Sequence, residues 1–115
     1  MINGNYKEFM NEVYYGSELN FSYKDKKYFY QGWKENGIQH REIYQFVPNL
    51  DGYFWTCDSK NAKDCVQAFL SAKIFDGKTF PEIEKEVEWL EFGPLDVHQE
   101  TKEYWEKHKD EIPKS

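Results

Sequence analysis

A chain of 115 residues fits a single domain, and that length is enough to bury a core without disulfides or a structural metal. Aromatic residues make up 19% and charged residues 31%, with a formal net charge of −6. The mean hydropathy of −0.94 would suit a disordered chain, but so many large buriable rings exclude one, and the negative balance disfavours unassisted binding to DNA, RNA or an anionic membrane.

The first predicted element is a helix. Tyr6, Phe9, Met10, Val13 and Tyr14 recur at helical spacing. Asn3 or Asn5 can cap its start, and Gly16 stands where a C-cap glycine belongs. The period then changes to two: Leu19, Phe21 and Tyr23 alternate with polar residues, Asp25-Lys26 can turn the chain, and KYFYQGW (27–33) is aromatic and β-prone. Asn36-Gly37 is a strong hairpin signal, because both positions tolerate positive φ. Ile38 to Val47 returns as a strand, PNLDG (48–52) turns, and YFWTC (53–57) is the fourth strand of a meander.

Helical spacing resumes at Ala62, Cys65, Val66, Phe69 and Leu70, with Asp58 or Ser59 as the expected N-cap and Asp76-Gly77 closing the segment. A further helix is expected from Pro81 to about Glu91, with Thr79 as cap and Phe80, Ile83, Val87 and Leu90 facing inward; Gly93-Pro94 stops it. A last helix is expected over 98–110, with Val97, Thr101, Tyr104 and His108 aligned. The expected fold class is α+β: a four-stranded antiparallel meander sheet with an N-terminal helix and two to three C-terminal helices, in one domain over residues 1–115, with the helices packed on one face. The alternation leaves open whether the first helix covers the other face.

No linear motif for catalysis is found. The glycines stand mostly at turns rather than in a phosphate loop, and no G-x-S-x-G, H-E-x-x-H or Walker pattern occurs. His40, His98 and His108 lie in no metal-ligand spacing, and Cys57 and Cys65 form no CxxC pair and read as small buried hydrophobes. The expectation is a non-enzymatic chain with no cofactor. No apolar run approaches the roughly 18 residues of a membrane span, and MINGNYKEFMNEV lacks a signal-peptide pattern, so the expected location is cytoplasmic.

Charge distribution carries the functional reading. Residues 82–111 hold eleven Asp or Glu against four Lys, whereas residues 1–81 balance at ten acids and ten bases. On a helix, Glu84, Glu88 and Glu91 would form one stripe, which local electrostatics disfavours, and Trp89 would point away from the inner face as a candidate anchor. Glu103 and Glu106 repeat the pattern on the last helix. These six residues are the candidate partner-binding set, on a surface expected to dock a basic protein partner without direct nucleic-acid or membrane contact.

AKIFDGKTFPEIEKEVEWLE, with KYFYQGWKENGI before it, resembles segments of small proteins of unassigned function from Gram-positive bacteria and their mobile elements. That resemblance brings no active residues to carry over. In size and acidity the chain also resembles phage-encoded anti-CRISPR inhibitors, which implies a partner such as the Cas9 nuclease, whose basic surface the carboxylates would occupy. Two alternatives stand beside this expectation. One is a structural or regulatory subunit, such as a homodimer, joined through an aromatic sheet face with Tyr30, Trp33, Tyr44 or Trp55 exposed. The other is a carboxylate-based metal-binding protein.

Overall fold

A computed structural model describes residues 4–111 and shows an α+β fold around a five-stranded antiparallel sheet of order β4-β3-β2-β1-β5. Helix α1 spans Tyr6–Tyr15. Gly16 ends it at φ 75°, with the Gly16 and Ser17 amides donating to the carbonyls of Val13 and Glu12. Asn5 occupies the N-cap position without a side-chain bond, and Asn3 lies outside the described residues.

Strands β1 (Leu19–Tyr23), β2 (Lys26–Glu35) and β3 (Ile38–Val47) are joined by two-residue turns. Both residues of each turn take positive φ: 49° and 67° at Lys24 and Asp25, 51° and 78° at Asn36 and Gly37. That conformation matches the twist of a tight hairpin. The first turn is therefore Lys24-Asp25, one residue earlier than expected, and Lys26 already pairs with Tyr23. Strand β4 is Trp55–Ser59, two residues later than the pattern indicated. Helix α2 (Ala62–Ser71) is capped by Asn61, whose side chain accepts from the Asp64 amide at 2.9 Å, rather than by Asp58 or Ser59. Asp58 is held on the sheet by its pairing with His40.

Alternation sorts the strands into two faces. Leu19, Phe21, Tyr23, Tyr28, Tyr30 and Ile43 point inward, where Phe9 and Val13 of α1, Phe69 of α2, and Phe75, Phe80, Ile83 and Val87 complete a buried cluster. Phe80 stacks on Phe9 at 5.5 Å and lies 4.9 Å from Phe69, and Phe21 meets Phe9 edge-on at 5.8 Å. Cys65 is buried beside β4, its Sγ 3.8 Å from the Cys57 carbonyl, and burial followed by its contact with the Cys57 thiol pushes its own thiol up to about 12.

Arg41 also points inward and is 2% exposed. Its guanidinium donates to the carbonyls of Tyr14 at 2.7 Å and His40 at 2.9 Å, so a cation closes the negative end of α1. Gly32 sits opposite in the β2–β3 register, and a Cβ there would lie 2.5 Å from the Arg41 Cδ. The glycine in the strand is the space through which the arginine reaches the helix.

The expected helix over 81–91 is not formed. Phe80–Ile83 makes one short helical turn (α3), Glu84–Glu86 a 3₁₀ turn, and Glu88–Leu90 a fifth strand, β5, against β1. Thr79 does open the turn with a capping box shared with Glu82. The physical reason for the switch is twofold. Glu84, Glu88 and Glu91 would repel one another on a helix face, and an extended chain lets Val87 and Trp89 both reach the inner side. The last helix, α4 (Val97–Lys107), begins at Asp96, whose side chain accepts from the Gln99 amide. A 3₁₀ turn, Lys109–Glu111, follows it in place of the expected continuation to Asp110.

Contrary to the expectation of helices on one face, α4 packs on the outer face of the sheet. Its Glu100 pairs with Lys27, and its Thr101 hydroxyl contacts the Phe46 carbonyl. A bulge between Lys27 and Tyr28, with Phe46 the extra residue of β3, turns Val47 toward this side, where it is buried among Ser22, Lys27 and Tyr104.

Candidate acidic interface

The outer face meets α4 and the 91–96 connection along a groove. Ser22, Lys27, Val47 and Leu90 supply its floor, Glu88 stands on the β5 side, and Glu100, Glu103, Tyr104 and Lys107 form the helical wall around about 360 Å³. It continues past Glu91 to Phe92 and Leu95, which are 63% and 89% exposed.

Sequence order explains these positions. The β5–β1 register places Glu88 opposite Ser22, and Ser22 opposite Lys27 of β2. On α4, Glu100, Glu103 and Lys107 follow one another at i, i+3 and i+7, one helix face. Lys27 reaches across to Glu100, and that hydrogen bond, opposed by desolvation, holds the Glu100 carboxyl below its ordinary value. At the far end His108 lies 3.1 Å from Asp25 and 2.5 Å from Glu111, and stacks on Tyr104 at 4.2 Å. These contacts fasten the end of α4 to the β1–β2 turn.

The six candidate residues do not share one surface. Glu88, Glu91 and Glu103 line the groove, joined by Asp25 and Glu100. Five carboxylates against Lys27 and Lys107 leave the groove negative. Glu84 is only half-exposed and lies beside α1, where burial first and the charge of Glu84 second raise the Tyr6 hydroxyl. Glu106 is exposed on α4 outside the groove lining. Trp89 is half-buried, pairs with Phe21 and meets the Phe9 ring edge-on at 5.3 Å, so it packs on α1 rather than against Tyr104 or Trp105. Asp25 and Glu100 are not among the six sequence candidates, because their convergence needs the β1–β2 turn and α4 to meet across the sheet. The available signal was the Lys27–Glu100 charge pair, which no local spacing reveals.

The aromatic strands divide as well. Tyr30 is 1% exposed and donates to the Val13 carbonyl at 2.7 Å, and Trp55 packs on Phe69. Both belong to the inner face, which removes them from an exposed aromatic surface. Trp33 and Tyr44 stand on the outer face. Among the described residues, no three His, Cys, Asp or Glu side chains converge as a metal would require, and no helix is long and apolar enough to cross a membrane.

No family profile, curated protein or solved structure matches the chain.

Proposed function

We propose that this chain is a non-enzymatic binding protein that holds a basic segment of a protein partner in the groove between β5 and α4. The observation that carries this reading is the convergence of Glu88, Glu91, Glu100, Glu103 and Asp25 on one groove beside the exposed Phe92 and Leu95. Carboxylates on a rim steer and orient Arg and Lys, while exposed apolar side chains supply the area that affinity needs. In its finer form the partner is a basic, nucleic-acid-binding effector such as a Cas nuclease, from which these carboxylates exclude phosphates by competing for the same arginines and lysines. The expected location is the cytoplasm, where such effectors act.

The test is the paired reversal Glu88→Lys and Glu103→Lys. Fluorescence anisotropy of a labelled Arg/Lys-rich peptide is expected to show binding that weakens with added salt, and at least a tenfold loss in the reversed protein. Unchanged affinity in a variant with native circular dichroism removes the groove from the reading. For the finer form, release of labelled target DNA from a Cas9–guide complex is the measurement. Full retention of DNA at saturating protein rejects that effector.

A further inference from the structure

The outer face beyond α4 holds a second feature. Along β3 the outward side chains are His40, Glu42 and Tyr44, and across β2 they face Trp33, Gln31 and Phe29. α4 packs at the Lys27–Val47 end of this face, whereas the other half is met by Tyr53 from the segment before β4. Trp33 stacks on His40 at 5.1 Å and is 43% exposed; Tyr53 lies 5.2 Å from Tyr44 and is 59% exposed.

Between these two aromatic groups sits Glu42, only 4% exposed. Its Oε1 accepts from Gln31 Nε2 at 2.6 Å, a neutral donor. A carboxylate has room for about four hydrogen bonds, and a buried one is ordinarily matched by a cation. Among the described residues no cation pairs with Glu42. The adjacent Arg41 cannot, because strand alternation sends it to the opposite face, where carbonyls and the Gln39 side chain hold it.

We propose that this half of the sheet is a second binding site, and that it receives an arginine side chain of a protein partner on Glu42, between the rings of Trp33 and Tyr44. A carboxylate held by a neutral donor has acceptor capacity left for a cation. The flanking rings favour guanidinium over ammonium, because a planar guanidinium stacks on an aromatic face while donating two parallel hydrogen bonds to a carboxylate. Trp33 and Tyr53 are the exposed rings on either side of Glu42. The site is separate from the groove, and either can fail without the other.

Isothermal titration with acetylated hexa-arginine and hexa-lysine peptides tests it, in the Glu88→Lys/Glu103→Lys background so that the groove makes no contribution. Hexa-arginine is expected to bind and to shift the Trp33 indole and Gln31 amide resonances, with hexa-lysine at least tenfold weaker. Glu42→Gln, which keeps the shape and the Gln31 contact, is expected to cost at least tenfold in hexa-arginine affinity, and Trp33→Ala a similar factor. Equal binding of the two peptides, no binding of either, or full affinity in Glu42→Gln overturns the proposal. Where the reversed background is unfolded, the same resonances mapped on the wild-type protein give the answer, and shifts confined to groove residues count against it.

Discussion

The two faces of the one sheet are built from neighbouring residues and have opposite fates. On the inner face every strand sends a ring or an aliphatic chain into a cluster closed by α1, α2 and the 75–87 segment. On the outer face the intervening residues are Asn20, Ser22, Lys27, Gln31, Glu42 and Trp33, and α4 covers only the Ser22–Lys27–Val47 end. The inner rings are fixed by mutual packing and serve stability. The outer groups retain charge and exposed aromatic surface, and the proposed binding surfaces both lie among them. A period of two is thus enough to separate stability from recognition within ten residues of chain.

The largest expected effect lies on the inner side. Phe80 touches Phe9, Phe21, Phe69 and Phe75 and is fully buried. Phe80→Ala removes a ring from a close-packed cluster and is expected to destabilise by about 3–5 kcal/mol, read as a lowered urea midpoint. A loss under about 1 kcal/mol would mean that the cluster is loosely packed and the contrast between the faces is smaller than drawn.

Gly32→Ala comes next. The new methyl collides with the Arg41 side chain at 2.5 Å, and displacing that chain uncaps the carbonyl of Tyr14. The expected cost is about 1–3 kcal/mol in chemical denaturation. In the Gly32→Ala/Arg41→Ala double variant the collision is gone, so the two losses are expected to fall short of additive. Strict additivity would separate the glycine from the arginine.

How much of this was legible follows from which interactions are local. The αL cap at Gly16 and the Asn36-Gly37 turn declare themselves in two or three residues, and the alternation over Leu19–Tyr23 is plain in the sequence. The 81–91 segment misleads because Ile83 and Val87 are buried in both readings, helix or turn-plus-strand. Only Trp89 and Leu90 differ, and their placement depends on β1 having a free edge, a fact of topology. The groove was half visible. Glu88, Glu91 and Glu103 were marked by charge density alone, whereas Asp25, Lys27 and Glu100 join them through contacts more than seventy residues apart, such as Lys27 with Glu100 and Asp25 with His108.

A smaller effect tests the join between α4 and the sheet. Lys27 holds Glu100 below its ordinary value of 4.5. A carboxyl lowered on folding adds stability above its unfolded value, and that stability is lost as pH falls through the folded one. Lys27→Met, which keeps the aliphatic stem, is therefore expected to lose about 1 kcal/mol at neutral pH. The gap from wild type should close as pH drops below that of an ordinary carboxyl. Urea midpoints from pH 7 downward check it, and a pH-independent gap would assign the loss to packing rather than to the ion pair.

The smallest stability effect is expected at Trp33, and it is the sharpest test of the contrast. The ring is 43% exposed and rests on His40 rather than in the inner cluster. His40 is held in place by Asp58 at 2.6 Å, independently of Trp33. Trp33→Ala is accordingly expected to change stability by less than about 1 kcal/mol, against the several lost at Phe80, while removing the larger wall beside Glu42. Differential scanning calorimetry of the two variants side by side decides the matter. If Trp33→Ala lowers the melting temperature as far as Phe80→Ala, the outer face is a second core rather than a recognition surface, and the exposed rings must be explained by packing.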